Sequence, residues 1–275
     1  MPGIVRLDVI PWKDARGPQE EVARGAVRDL AAAAEAQLLG AVVHRLRPGD
    51  ESYRYHEHEQ MEEVFLVLAG APTILLDGRE ILLREGDAVH CPPWAAHTFR
   101  NGSTEDAEVL MAARLPERSD VVYPGWKMEA MAARAGSSEE ARDRRVRNLA
   151  ELPWEDDAYG RDWGGRRSLT EGFDLKQIAV AVRTLRPGAL SPPYHSHTAA
   201  EEIYIVLEGR PVLLRDGAEL PLATFSVLHF PPGEPHALAN REQRPAKVVT
   251  LRDLARGDQV ELPAAPRGWK GPRRP

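Results

Sequence analysis

The chain is written twice. His56-Glu57-His58, Glu63, Gly70, Pro92, His97 and Asn101 return as His195-Ser196-His197, Glu202, Gly209, Pro231, His236 and Asn240, each displaced by 139 residues. Pro72 and Asp77-Gly78 map onto Pro211 and Asp216-Gly217 at the same distance. A constant offset held through roughly fifty residues means one structural unit built twice. The lead-in repeats too. Leu7 to Asp14 resembles Leu149 to Asp156 at an offset of 142, so small length changes separate the copies. With 275 residues, two domains of ordinary size are expected.

Between the repeated polar residues lie β-type segments. Val64 to Leu68 and Ile203 to Leu207 are short apolar runs that read as strands buried on both faces. Asp77-Gly78 and Asp216-Gly217 each sit between apolar runs, a strong hairpin signal. Ala41 to Leu46 and Ala179 to Leu185 are further strands, each stopped by Arg-Pro-Gly. Ala88 to Cys91, Glu108 to Leu115 and Ala246 to Leu251 complete the set, and residues 4–10 offer a short strand. Pro18 to Leu39 reads as a helix, with proline near its start, the run Ala31 to Ala34 inside and Gly40 after its end. Trp126 to Arg134 and Ser138 to Arg147 also look helical.

The expected organisation is an all-β chain with a few peripheral helices. An N-terminal barrel with an edge helix spans 1–115 and a helical connector 116–148. A C-terminal barrel spans 149–261, and a flexible tail rich in Pro, Gly and Arg spans 262–275.

Residues i and i+2 of a strand share a face, so His56 and His58 project together, as do His195 and His197. In a closed barrel, Glu63 and His97, or Glu202 and His236, can reach the same point from neighbouring strands. Imidazole and carboxylate donors suit a divalent transition metal and leave positions for water or substrate. Thiolate-based structural zinc is not expected, because Cys91 is the only cysteine. Any one of these histidines alone would read as an ordinary surface or core residue. Six of the nine histidines form two identical triads, each with a glutamate in step.

Phe65 and Tyr204 lie two residues beyond the glutamates and share their inward face, where they either pack the core or line a pocket. His90 and His229 read as packing residues or as supports for the cluster. His44 aligns with Arg183, which argues against a shared metal role. Glu57, Glu59, Glu62 and Glu201 are expected to face solvent.

These motifs resemble the cupin superfamily. His56-x-His58-x4-Glu63-x6-Gly70 and Gly86-x5-Pro92-x4-His97-x3-Asn101 match its two motifs. His195-x-His197-x4-Glu202-x6-Gly209 and Pro231-x-Gly233-x2-His236-x3-Asn240 match them again. The similarity covers about residues 40–115 and 179–252, which implies two tandem cupin barrels of the double-stranded β-helix or jelly-roll type. It implies metal ligands His56, His58, Glu63 and His97 in one barrel and His195, His197, Glu202 and His236 in the other. There are departures. Gly49 and Gly188 stand one residue further from the histidine pair than usual, Phe225 replaces an opening glycine, and Trp94 replaces an inner glycine. Trp94 either narrows the N-terminal pocket or covers its turn.

What the resemblance implies about activity is a metal-dependent small-molecule enzyme. The first expectation is a dioxygenase related to flavonol-cleaving bicupins, with Fe(II) or Mn(II) favoured and Ni, Co, Cu or Zn as alternatives. The alternatives in chemistry are a redox-neutral isomerase, decarboxylase or hydrolase, in which Glu63 or Glu202 moves a proton, and a non-catalytic binding cupin. Glu202, Tyr204 and Glu63 are the candidate catalytic residues, with the C-terminal site favoured for turnover. The net charge of −6 argues against nucleic acid as the main partner. No apolar run is long enough to span a bilayer. No secretory leader is visible, and the lone cysteine forms no internal disulfide, so a cytoplasmic monomer or homodimer acting on a small molecule is expected.

Overall fold

The computed structural model describes residues 4–15, 25–124, 143–156 and 164–264. Those residues are all-β, with two short α-helices, Leu30–Ala33 and Leu169–Phe173. The chain divides into two compact units. The N-terminal unit joins Pro11–Leu30 to Gly40–Glu151, and the C-terminal unit joins Met1–Ile10 and Ala31–Leu39 to Leu152–Pro275.

The N-terminal unit has a seven-stranded antiparallel sheet. Its order is Val146–Asn148, Asp87–Cys91, Glu63–Ala69, Ala107–Arg114, Leu39–Leu46, Ala26–Asp29, Lys13–Asp14. A three-stranded sheet of His97–Arg100, Thr73–Leu76 and Arg79–Leu82 packs against it. Phe65, Val67, Val89 and Val109 from the large sheet meet Ile74, Leu76 and Phe99 from the small one in a single core.

The C-terminal unit repeats the plan. Its seven strands run Ile4–Arg6, Ser226–Phe230, Glu202–Glu208, Ala246–Asp253, Ile178–Leu185, Gly165–Ser168, Glu155–Asp156. The smaller sheet holds Ala218–Pro221, Val212–Arg215, His236–Ala239, Leu190–His197 and Val260–Glu261. Tyr204, Val206, Leu228 and Val248 pack with Leu213 and Leu238 between the sheets.

Turn chemistry explains the closures. Asp77-Gly78 and Asp216-Gly217 all have positive φ, as a two-residue hairpin of the primed kind demands. Gly70, at φ +78, has the backbone of Asp106 and Ala107 so close that a Cβ would stand 2.6 Å from Asp106 O. Glycine is therefore required there by space as well as by φ. The motif asparagines fasten strand ends. Asn101 Nδ2 donates to Leu46 O and Glu105 O, and Asn240 Nδ2 to Leu185 O and Arg244 O.

Two expectations fail. The helix expected over Pro18 to Leu39 is a strand at Ala26–Asp29, paired with Val42 to Arg45, and helical only at Leu30–Ala33. Backbone pairing overrides the alanine-rich propensity; the first part of that helix, 18–24, lies outside the described residues. The helix Trp126 to Arg134 and most of Ser138 to Arg147 also lie outside them. The described end of the latter is not helical, because Val146–Asn148 pairs with Asp87 to Val89.

Candidate metal centres and the C-terminal pocket

Each barrel gathers its repeated polar residues in one place. His56 and His97 face each other as a cross-strand bridge, with His97 N donating to His56 O at 2.8 Å. His195 and His236 form the same pair. Glu63 and Glu202 open the neighbouring strands of the larger sheets. One donor atom from each of His56, Glu63 and His97 lies within 4.8 Å of the others, and His195, Glu202 and His236 do likewise. His58 Nε2 reaches Glu63 Oε2 at 3.4 Å, and His197 Nε2 reaches Glu202 Oε1 at 3.6 Å. Both sequence-derived quartets are therefore brought together and buried.

The ring protons reveal what the clusters await. His56 Nδ1 is 2.7 Å from Arg54 O, His97 Nδ1 2.9 Å from Ala95 O, and His58 Nδ1 2.8 Å from Asp120 Oδ1. His195 Nδ1 is 3.0 Å from Pro193 O, His236 Nδ1 3.1 Å from Glu234 O, and His197 Nδ1 2.6 Å from Asp258 Oδ2. Carbonyl and carboxylate oxygens only accept, so each Nδ1 carries the proton. In the neutral ring, Nε2 is then a lone pair. Nε2 faces a carboxylate in both barrels, at 3.0 Å for His97 and Glu63 and 3.1 Å for His236 and Glu202. Glu63 Oε2, His97 Nε2 and Glu202 Oε2 are buried without a hydrogen-bond partner. Orphaned acceptors crowded around one point fit a cation at that point.

The electrostatics agree at Glu202, His56 and His236; at His97, burial is outweighed by Cys91 and Glu63, which hold the pKa well above the ordinary value, so an ion has to displace a proton there. Burial raises the Glu202 carboxyl, but the closeness of His195 and His236 outweighs it and holds its pKa well below the ordinary value. Burial, then repulsion from His97, lowers His56 to about 4. Burial also lowers His236. These groups stay in their ligating forms near neutral pH.

Asp120 and Asp258 are the functional residues the sequence reading missed. Asp120 Oδ2 also accepts the amides of Gln60 and Met61, and Asp258 Oδ1 those of Ala199 and Ala200. Burial raises both carboxyls, but these bonds and the histidine outweigh it, and each pKa lies below the usual range. Asp120-Val121-Val122 and Asp258-Gln259-Val260 stand 138 residues apart. The repeat therefore continues past the recognised motifs, and that near-match was the available signal.

The other candidates separate. Tyr204 Oη lies 3.4 Å from Glu202 Oε1 and 3.3 Å from His236 Nε2, so it joins the cluster. Burial and Glu202 push its phenol well above the ordinary range, against Arg183 and Arg252. Phe65 packs edge-on to His97 and into the core. Phe230 stacks on His236 at 3.5 Å. His90 and His229 support rather than join the clusters, contacting Glu62 and Glu201 at 3.3 and 2.7 Å.

The expectation that the acidic group faces solvent holds for Glu59 and fails for Glu57, Glu62 and Glu201, all buried. Glu201 accepts the amides of Gln37, Leu38 and Leu39. Those bonds, with His229, are what make its burial tolerable. Trp94 is 55% exposed with φ +68, so it covers the turn and does not fill the space between the histidines. Phe225, 44% exposed at φ +68, likewise takes a backbone conformation that glycine holds in the other copy, at Gly86.

The C-terminal cluster opens on a cavity of about 200 Å³. His195, His197, Glu202 and Tyr204 line its base, with Arg183 and Arg252 among its walls. No described helix is long and apolar enough to cross a membrane.

Comparison with known proteins adds the family. Residues 42–113 and 181–252 each match the Cupin domain, together more than half of the chain. The chain is 24% identical over 220 residues to quercetin 2,3-dioxygenase of Bacillus subtilis, covering 68% of this chain and 65% of that protein. It is 36% identical over 79 residues to the β-D-galactosidase Rv1717 of Mycobacterium tuberculosis, covering 29% of this chain and 66% of that one. An uncharacterised Methanocaldococcus jannaschii protein, MJ1618, is 33% identical over 86 residues, 31% of this chain and 59% of that one. The chain thus spans somewhat under two thirds of the length of these curated relatives. Oxalate decarboxylase from Bacillus subtilis, in a structure at pH 4.6, shares the fold with a TM-score of 0.63 at 17% identity, over 90% of this chain and 75% of that one. Two matched domains, each with its own potential His/Glu metal site, make this chain a member of the cupin family, and specifically a bicupin.

Proposed function

We propose that the chain is a metal-dependent oxidoreductase of the dioxygenase type acting on a small molecule, with turnover at the C-terminal barrel. The observation that carries this reading is the arrangement at Glu202. Its Oε2 is buried without a hydrogen-bond partner, histidine lone pairs surround it, and a cavity with room for a small molecule adjoins it. His195, His197, Glu202 and His236 would hold a divalent ion there, and His56, His58, Glu63 and His97 a second. Fe(II) or Mn(II) is favoured, with Ni, Co, Cu or Zn as alternatives. When bound, a redox-capable ion supplies oxygen chemistry together with Lewis acidity.

The protein's own groups do the rest. Tyr204 Oη, against Glu202 Oε1, can hold a proton or orient a substrate oxygen. Glu202 can take up a proton if one oxygen is released. Glu63 is placed equally but faces Phe65, which has no hydroxyl, so the N-terminal barrel lacks that partner. The similarity to quercetin 2,3-dioxygenase across both domains supports the oxygen-dependent reading. The Tyr204–Glu202 pair also favours a second reading, redox-neutral isomerisation or decarboxylation, because it offers a proton route without oxygen.

The test combines metal analysis of purified and reconstituted protein with oxygen uptake on small phenols and enols. Two ions per chain are expected, with turnover abolished in His197→Ala, largely retained in His58→Ala, and halted under nitrogen. Full turnover under nitrogen would transfer the protein to the redox-neutral reading. A chain that never holds an ion would overturn the metal-dependent reading, and one that holds ions without turning over any substrate would be a non-catalytic binding cupin.

A further inference from the structure

The two barrels share their ligands but not their walls. In the C-terminal unit Arg166 stands opposite Arg183, Tyr204 opposite Thr250, and Glu202 opposite Arg252. All six line the cavity. In the N-terminal unit the same register places Val27 opposite His44, Phe65 opposite Met111, and Glu63 opposite Ala113. Only the glutamate is kept. The other five positions exchange three guanidiniums and two hydroxyls for one imidazole and four apolar side chains. Burial holds that imidazole, His44, at about pKa 4, so it is neutral near pH 7.

One strand carries part of this wall. Ala179, Val180, Ala181 and Arg183 of the strand Ile178–Leu185 all line the cavity. The neighbours of Arg183 on this strand are small or aliphatic, so its guanidinium is the strand's polar contribution to the cavity. Arg166 is engaged by Glu155 at 2.9 Å and Glu171 at 3.5 Å, and Arg252 lies 3.5 Å from Asp258. Glu202 at the base would be compensated by the ion it helps to hold. A guanidinium in a partly dehydrated pocket is suited to a planar carboxylate, which it can grip with two parallel bonds.

We infer that the C-terminal pocket selects a small organic acid, its carboxylate held by Arg183 and Arg252 and its reacting group turned toward Tyr204 and Glu202, and that the N-terminal barrel does not bind that acid. This rests on the proposed function for where the reaction occurs, but the binding itself can be measured without turnover.

The experiment is calorimetric titration of benzoate and pyruvate, each against its neutral amide, into metal-loaded and metal-free protein, with metal content measured in parallel. One carboxylate site per chain is expected, with the amides binding at least tenfold more weakly. Arg183→Gln should weaken carboxylate binding roughly ten- to a hundredfold, as loss of a charge-assisted hydrogen-bonding group does. Arg252→Gln should weaken it as well. Arg183→Lys, which keeps the charge and loses the planar fork, should fall between wild type and Arg183→Gln; it also serves if the glutamine variant melts early. Two equal sites per chain would mean that carboxylates simply coordinate the ions, and would overturn the inference. So would absence of a carboxylate-over-amide preference, or binding unmoved by the arginine variants. A chain that takes no metal yet keeps the arginine-dependent preference would remove the proposed function and leave this inference standing.

Discussion

Asp258 is not among the residues lining the C-terminal cavity, yet it decides how His197 presents its lone pair. With Nδ1–H held at 2.6 Å and the second carboxylate oxygen fixed by two backbone amides, the ring can neither flip nor change tautomer without breaking a bond. Arg252 Nη1 also lies 3.2 Å from His197 Nδ1, but both are donors, so that contact is an approach to Asp258 and not a bond. A carboxylate behind a histidine typically changes metal affinity by roughly ten- to a hundredfold. Asp258→Asn is therefore expected to weaken the C-terminal ion by about that factor, while Asp120→Asn does the same to the N-terminal ion through His58. Competition titrations with a chelating dye on each variant check this, with the metal-free melting temperature as a control for folding. Equal affinities in wild type and both variants would remove the role. These aspartates were illegible in the sequence for a physical reason. Spacing within a strand fixes which side chains share a face, but Asp120 and Asp258 reach their histidines from segments about 60 residues further on. Only the pairing of Val121–Val122 with Glu57–His58, and of Val260–Glu261 with Ser196–His197, brings them there.

At the scale of elements, the strand Glu202–Glu208 carries a structural acid immediately before its chemical one. Glu201 is 2% exposed and accepts from Gln37, Leu38 and Leu39 at 2.7 to 2.9 Å and from His229 at 2.7 Å. Adjacent residues of a strand point to opposite faces, so one turns to the cluster and the other clamps the segment Ala31–Leu39 that belongs to this unit. Burial pushes the Glu201 carboxyl up, yet His229 and the three amides prevail and its pKa is lowered. The unfolded chain therefore binds this proton at higher pH than the folded one. The stabilisation is complete above the unfolded pKa and is lost as pH falls through the lower, folded value. Glu201→Gln is expected to cost about 3 kcal/mol at neutral pH, since a neutral amide places its NH₂ against donors. It should also flatten the decline of stability in acid. Urea melts of wild type and variant between neutral and acidic pH check both; parallel acid profiles would refute the account. The strands, hairpins and ligand strands were legible because period-two burial and Asp-Gly turns are local signals. The burial of Glu201 and Glu62 was not, because a charge on a strand end reads as solvated until the donors that reach it are known. Ala26–Asp29 was missed as a strand for the related reason that its pairing with Val42 to Arg45 is decided by tertiary partners, not by alanine content.

For the whole molecule, the repeat identified like elements but not their partners. Ile4–Arg6 and Val146–Asn148 occupy matching places in the two copies at the lead-in offset of 142. The first pairs with Ser226 to Leu228 in the C-terminal unit, and the second with Asp87 to Val89 in the N-terminal unit. Each copy's lead-in thus serves as edge strand to the other copy's sheet. The apolar pattern of such a strand fits either edge equally well, which is why sequence boundaries at 115 and 149 could not anticipate it. The consequence is testable by removing residues 1–10. Ile4 packs against the C-terminal core, Leu7 and Ile10 are buried, and Leu7 N donates to Phe225 O at 2.6 Å. Loss of three largely buried aliphatic side chains, at roughly 1.5–3 kcal/mol each when fully buried, would remove several kcal/mol from one unit. Hydrogen exchange followed by mass spectrometry is expected to show faster exchange in the strand Ser226–Phe230 of the shortened protein. Exchange in Asp87–Cys91 should be unchanged, because that strand keeps Val146–Asn148 as its neighbour. Metal bound through His195, His197 and His236 should be released at lower temperature, while the His56, His58 and His97 site keeps its ion. If instead Asp87–Cys91 loses protection, the lead-in strand belongs to its own copy and the exchange of edges is wrong.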